Sequence, residues 1–331
     1  MRPAPLALFS LTLALAPLAA LRAAPEGPKF VLPLACQIGR TCEVQHYVDR
    51  DPGPGALDYR CGHRTYQGHS GVDIRLLDMA AERAGVDVLA AAPGRVARLR
   101  DGVQDISIRA PGAPSVAGQE CGNGVVVDHG GGWETQYCHL ARGSIRVKVG
   151  DTVAAGQPLA HVGLSGDTEF PHLHFTVRHS GQVVDPFAPD MTNPTACTAQ
   201  AATLWSAPAL RQLGYKSGAV LNVGFAAGPV TMENVEAGGI PAPNATAPLV
   251  AYARLIGLDA GDGVELVLTG PHGETLVQSQ LAPLATGKDQ YIAYAGKKPP
   301  PGGWPHGAYK AEVRVHRAGA VAVSRRFNAT I

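Results

Sequence analysis

The pattern of apolar and polar positions predicts a protein built mainly from β-strands. Successive side chains of a strand point to opposite faces, so an alternating run has one apolar face to bury. Such runs recur through the C-terminal third of the chain, at 250–254, 264–268, 290–294 and 311–315. Turn sequences such as Asp262-Gly263 and Gly302-Gly303 separate them. Short strands with regular turns predict a smaller β-sandwich over 221–331.

Helical patterns are few in this sequence. Between 76 and 84 the apolar positions fall on one helical face and Gly85 follows, which predicts a helix over this segment. A short helix is also predicted near 207–213, inside a linker from 191 to 220. The segment 25–60 is rich in turn-forming residues and is predicted to be an irregular lead-in to a larger domain.

The first 24 residues have the pattern of a signal peptide. Arg2 precedes a largely apolar run from 4 to 21, and small residues follow at Ala23 and Ala24. The run contains Pro17 and is short for a membrane span, which needs about 20 apolar residues. We therefore expect an exported protein, periplasmic or extracellular, with no membrane span in the mature chain.

Candidate chemistry lies in two clusters of histidine and aspartate. His69 and Asp73 flank a Ser-Gly pair, which indicates a loop that leads into a strand and can aim both side chains at one ion. His172 and His174 lie two positions apart in an alternating run, and therefore on one face of a strand. Zinc binds imidazole nitrogens and carboxylate oxygens, and a catalytic site keeps three protein ligands and one open position. The two clusters together predict a zinc hydrolase.

A third segment, Tyr137-Cys138-His139-Leu140, makes the pattern specific. In this order, the segments 69–73, 137–140 and 171–175 resemble the lysostaphin-type (LytM-like) zinc endopeptidases that cut bacterial cell-wall peptidoglycan. The resemblance spans about 61–190 and includes 88–96, 122–130 and 149–157. It implies an antiparallel β-sheet metallopeptidase domain at 61–190. The segment from Trp304 to Lys310 is in turn similar to immunoglobulin-like domains, which implies that type of sandwich for 221–331.

The family resemblance also implies a role for each residue of the clusters. His69, Asp73 and His174 would bind Zn²⁺, and His139 and His172 would be the catalytic histidines that do not bind it. A zinc site of this charge acidifies a bound water toward a pKa of about 7, and one histidine would relay a proton while the other donates to the developing oxyanion. The sequence does not decide which histidine has which role.

Three classes of function remain open at this point. The first is a zinc metalloendopeptidase acting on the peptides of peptidoglycan. The second is a non-catalytic wall-binding protein that activates another hydrolase, because some relatives have lost metal ligands. The third is a secreted metalloendopeptidase with other protein substrates.

Cysteine content and charge indicate the redox state of the cysteines and limit the class of binding partner. Six cysteines in an exported chain favour disulfides, and the sequence does not fix which cysteines pair. Cys121 and Cys138 flank a predicted hairpin and could be cross-strand neighbours, and Cys36 with Cys42 could close a small loop. Cys61 and Cys197 would remain. A formal net charge of +1 and 17% charged residues argue against a broad nucleic-acid-binding surface.

Overall fold

The computed structural model describes residues 27–190 and 202–331. The predicted signal peptide and the first part of the predicted linker lie outside the described residues. Within them the protein is mainly β, as predicted, and every named strand pair is antiparallel. None of the helices in these two ranges has the length and apolar run that a membrane span requires.

Ten strands precede residue 190. They are β1 (Cys42–His46), β2 (Val72–Leu76), β3 (Asp87–Leu89), β4 (Gly94–Arg100), β5 (Asn123–Gly130), β6 (Trp133–Leu140), β7 (Thr152–Val153), β8 (Pro158–His161), β9 (His172–His179) and β10 (Gln182–Val184). β3 pairs with β8, and the others form an eight-stranded sheet in the order β1-β2-β9-β6-β5-β4-β7, with β10 also paired to β9. The apolar residues of the alternating run in β9, Leu173, Phe175 and Val177, are buried, and so are His172 and Thr176 on the other face.

Seven further strands form two sheets after residue 218. They are β11 (Ala219–Ala226), β12 (Leu249–Leu258), β13 (Gly263–Thr269), β14 (Thr275–Gln280), β15 (Lys288–Lys297), β16 (Ala308–Arg317) and β17 (Ala320–Thr330). The sheet orders are β11-β12-β15 and β14-β13-β16-β17. Both sheets contribute to one hydrophobic cluster that includes Leu255, Leu266 and Val313. Each of the four predicted runs lies inside one of these strands. The immunoglobulin-like character of this part stays a prediction.

The helix predicted at 76–84 begins later than expected. Leu76 is the last residue of β2, and helix α1 (Met79–Ala84) begins after Asp78, whose carboxylate accepts a hydrogen bond from the Ala81 N–H at 2.9 Å. Gly85 ends the helix with φ 79°, as its position predicted. Leu76 is the cross-strand partner of Cys42 in β1, and this pairing overrides the helical periodicity at the first residue of the predicted helix.

Helix α2 (Ala207–Leu213) agrees with the short helix predicted from the sequence. Ala209 and Leu213 belong to the first hydrophobic cluster, which contains the buried apolar residues of β9, and Trp205 belongs to it as well. Helix α3 (Met232–Ala237) was not predicted, although Thr231 and Asn234 form a capping box that a sequence can reveal.

The N-terminal lead-in is not irregular throughout, which corrects the sequence interpretation. It contains β1, which pairs with β2 at the edge of the eight-stranded sheet. Cys42 and Val44 are buried hydrophobic residues of β1 and belong to the first cluster. The disulfides Cys36–Cys42 and Cys121–Cys138 are present, and they are two of the pairings that the sequence allowed. Cys61 is disulfide-bonded as well, and Cys197 lies outside the described residues.

The two parts of the molecule meet through β2 and α3. Arg75 and Arg254 are both fully buried, and each pairs with the carboxylate of Glu236, at 2.7 Å for Arg75. Arg254 also donates to the carbonyl oxygen of Leu77. The Leu77 side chain packs against a small apolar cluster that includes Ile256. The interface therefore combines apolar contact with buried charge.

Candidate metal centre and active-site groove

Strand register brings the predicted site residues together. β9 lies between β2 and β6, and its His174 is the direct cross-strand partner of Asp73 on one side and of Cys138 on the other. His139 follows Cys138 along β6. His69 precedes β2 by three residues, so the loop and strand predicted for 69–74 place it beside Asp73.

Three atoms of these residues converge on one point. Asp73 Oδ1 lies 2.8 Å from His174 Nδ1 and 3.1 Å from His69 Nε2, and the two nitrogens are 3.2 Å apart. The other nitrogen of His69, Nδ1, donates to the carbonyl oxygen of Tyr47 at 2.6 Å. A ligand histidine commonly uses its second ring nitrogen in this way, which orients the ring and leaves the first free. The group can hold a metal ion.

The remaining two histidines lie beside this group. His172 Nδ1 donates to the carbonyl oxygen of Phe170 at 2.9 Å, and its Nε2 is 3.5 Å from Asp73 Oδ1. His139 Nδ1 donates to the carbonyl oxygen of Ser165 at 2.8 Å, and its ring centre is 4.6 Å from that of His172. His139, His172 and His174 also form a group with metal-ligand spacing. The geometry thus brings all five predicted residues together and leaves their division of roles to experiment.

Burial and neighbouring groups shift the pKa values of the carboxylate and of two histidines. Burial disfavours the charged form of Asp73, but the positive charge of His69 and His172 outweighs it and holds the Asp73 pKa well below its usual range. Burial lowers the pKa of His139 well below its usual value, and the nearby imidazoles of His172 and His174, which oppose a second positive charge, lower it further. Burial also lowers the pKa of His174. His139 and His174 are therefore held neutral near pH 7, the form in which imidazole binds a metal or accepts a proton.

His139 has an unusual backbone conformation. Its φ is 62°, in the left-handed region that a non-glycine residue adopts at an energetic cost. The His139 N–H donates to the Cys121 carbonyl at 2.9 Å, and its own carbonyl accepts from the Gly163 N–H at 2.8 Å. Cys121 is also joined to Cys138 by the disulfide. The two hydrogen bonds and the neighbouring disulfide together hold the imidazole in this position.

An open groove runs across this face of the sheet. Its lining combines histidines of the two candidate metal groups with polar and charged groups, namely Tyr66, Gly68, His69, Ser70, Glu120, Cys121, Gln136, Cys138, His139, Asp167, His174, Thr176 and Arg178. Arg178 donates to Gln136 at 2.6 Å, and Tyr66 is half-exposed above the His69 ring. The groove can admit an extended chain with polar groups.

Sequence reasoning missed His46. Its Nδ1 donates to Asp73 Oδ2 at 3.1 Å, on the side of the carboxylate away from the converging atoms. Burial would lower the His46 pKa, but Asp289 and Asp73 raise it above the usual value. The alternation of Cys42 and Val44 with polar neighbours could have indicated a strand here. Nothing local to the sequence indicates that this strand lies behind Asp73.

Comparison with known proteins gives the same family as the motifs. Residues 67–186 match the model of peptidase family M23. The murein hydrolase activator EnvC of Escherichia coli K12 is 47% identical over 62 residues, 19% of this chain and 14% of that protein. The peptidoglycan DD-endopeptidase ShyB of Vibrio cholerae is 39% identical over 70 residues, 21% of this chain and 16% of that protein. The cell division protein DipM of Caulobacter vibrioides is 41% identical over 68 residues, 20% of this chain and 11% of that protein.

These matches thus cover between 11% and 16% of the relatives' own lengths. Among solved structures, a zinc-containing peptidase from Vibrio cholerae is 27% identical, with a TM-score of 0.28, over 43% of this chain and 38% of that chain. The catalytic domain of lysostaphin from Staphylococcus simulans is 24% identical, with a TM-score of 0.27, over 40% of this chain and 84% of that chain. Residues 67–186 therefore match a peptidase family M23 domain, in agreement with the resemblance carried by the motifs.

Proposed function

We propose that this protein is an exported zinc metalloendopeptidase that hydrolyses peptide bonds in bacterial cell-wall peptidoglycan. The observation that carries the proposal is the convergence of His69 Nε2, Asp73 Oδ1 and His174 Nδ1 at mutual distances of 2.8 to 3.2 Å. Ligands about 2.0–2.1 Å from a tetrahedral zinc ion lie about 3.3 Å from one another. The donor set therefore fits zinc closely, and we assign these three residues as its ligands.

Zinc, when bound, lowers the pKa of a water molecule toward about 7 and polarises a carbonyl oxygen. The protein's own contribution is then to move and supply protons. We assign that part to His139 and His172, because their Nδ1 atoms are held by backbone carbonyls and their Nε2 atoms remain for chemistry. The depressed pKa of His139 keeps its imidazole neutral, the form that can accept a proton.

Substrate choice rests on the relatives and on the groove. Several relatives carry names of peptidoglycan DD-endopeptidases, and the groove is open and polar, as an extended wall peptide requires. We further propose that 61–190 is the catalytic domain and that 221–331 is an accessory domain. The match to an activator keeps a non-catalytic role as the alternative.

The test compares purified full-length protein with three variants on isolated sacculi. Zinc content is measured by elemental analysis, and released fragments are identified by mass spectrometry. Asp73→Asn and His174→Ala should lose zinc and hydrolysis together. His179→Ala is the matched control, because His179 lies on the same strand but stacks on Trp133 away from the converging atoms.

Each class of function gives a different result in this experiment. An activator would bind sacculi but release no fragments. A peptidase with other protein substrates would cleave casein or elastin in preference to sacculi. A wild-type protein with full zinc and no hydrolysis of any of these substrates would contradict the proposal.

A further inference from the structure

The C-terminal domain reaches the back of the proposed metal site through the start of β15. Asp289 and Gln290 are the second and third residues of that strand. The backbone carbonyl of Asp289 accepts a hydrogen bond from Gln45 Nε2 at 3.1 Å. The side-chain oxygen of Gln290 accepts from Arg75 Nη1 at 2.9 Å. Two contacts thus fix β15 against β1 and β2, the strands that carry His46 and Asp73.

His46 lies between a proposed zinc ligand and this strand. Its ring is buried, with Nδ1 3.1 Å from Asp73 Oδ2 and Nε2 3.9 Å from Asp289 Oδ1. Asp73 Oδ1 is the atom that faces His69 and His174. The two oxygens of Asp73 are therefore divided between the metal side and His46, and the imidazole restrains rotation of the carboxylate.

The hydrogen-bond partner of a metal ligand has a known effect in metal sites. Such partners fix the orientation of the ligand, and their loss typically weakens metal binding by roughly 10–100-fold. Here the inner partner, His46, comes from the lead-in to the catalytic domain. The outer carboxylate, Asp289, comes from the part of the chain that we propose to be an accessory domain.

We propose that Asp289 is a positioning residue of the zinc site, acting through His46 on Asp73, so that the C-terminal domain completes the site. This inference rests on the proposed zinc function. The Asp289 side chain is 75% exposed, so its replacement leaves no buried void. An effect on zinc binding can therefore be separated from an effect on folding.

The experiment measures zinc dissociation constants of the full-length protein by chelator competition. The variants are Asp289→Asn, His46→Ala and the two combined. The control is Glu233→Gln, which removes the negative charge of an exposed side chain on α3, in the same part of the chain as Asp289. We expect His46→Ala to weaken binding by roughly 10–100-fold and Asp289→Asn by roughly 3–10-fold. The thermal midpoint of metal-free Asp289→Asn should equal that of the wild type.

The double variant separates positioning from a simple loss of charge. If Asp289 acts through His46, Asp289→Asn has no further effect in the His46→Ala background, because the two steps belong to one pathway. An undiminished effect there would reduce Asp289 to a distant charge and overturn the inference. Unchanged zinc affinity in Asp289→Asn would overturn it as well. A wild-type protein that binds no zinc would instead overturn the proposed function.

Discussion

The substitution Glu236→Gln tests the buried charges between the two domains. Glu236 lies between Arg75 and Arg254, whose side chains are 0% exposed. The substitution keeps the shape of the side chain and one acceptor oxygen but removes the negative charge. Two guanidinium groups are then left in a buried interface without their carboxylate.

The expected cost follows from the burial of this group. Removing one partner of a buried ion pair typically costs about 3–5 kcal/mol, because the other charge remains buried and uncompensated. The Glu236 side chain is 20% exposed and glutamine still accepts a hydrogen bond, so we expect the lower end, about 3 kcal/mol. At roughly 2 °C per kcal/mol for a protein of this size, the thermal midpoint should fall by about 6 °C.

The assay is calorimetric and chemical unfolding of the full-length variant beside the wild type and Glu233→Gln. Glu233 lies on the same helix, where its side chain is exposed to solvent. Its substitution should change the midpoint little. If Glu236→Gln were as stable as this control, the charges of Arg75 and Arg254 would be compensated by water, and the reasoning about the interface would be refuted.

Three further predictions concern the site and the core. His139→Ala should retain zinc and lose roughly 10²–10⁴-fold in kcat, and loss of zinc would place His139 among the ligands instead. Asp185→Asn tests a pH dependence, because burial raises the pKa of Asp185 to about 6 from roughly 3.9 in the unfolded chain. The folded protein holds this proton more tightly than the unfolded chain, so Asp185 contributes a stability that is complete below about pH 4 and is lost as the pH rises through about 6. Over this range the unfolding free energy of the wild type should fall by roughly 2–3 kcal/mol more than that of the variant, as measured by unfolding titrations. Replacing Cys121 and Cys138 together by serine opens a loop of 17 residues, which should lower the unfolding free energy by about 3 kcal/mol. The same replacement should lower kcat by a larger factor than it changes the zinc dissociation constant, because His139 would lose a support for its strained backbone. An unchanged kcat would contradict this support.

Local features of the sequence determined much of this protein. The period-two alternation around Leu173 and Phe175 placed His172 and His174 on one strand, because side-chain direction along a strand depends only on position in the chain. The disulfides Cys36–Cys42 and Cys121–Cys138 join residues 6 and 17 positions apart, within the reach of a loop and a hairpin. The order of the motifs along the chain is also a property of the sequence alone, and it identified the family.

The tertiary structure decided the pairings that join distant segments. His46 and Asp73 are 27 residues apart, and Arg75 and Gln290 are 215 apart. No local periodicity encodes such contacts, because they depend on which strands become neighbours and on how one domain packs against another. Leu76 became the end of a strand for the same reason, since its pairing with Cys42 of β1 outweighs a helical pattern. The sequence alone therefore predicted the candidate metal-binding motif, whereas only the packing of the folded chain brought Asp289 near His46 and Glu236 beside Arg75.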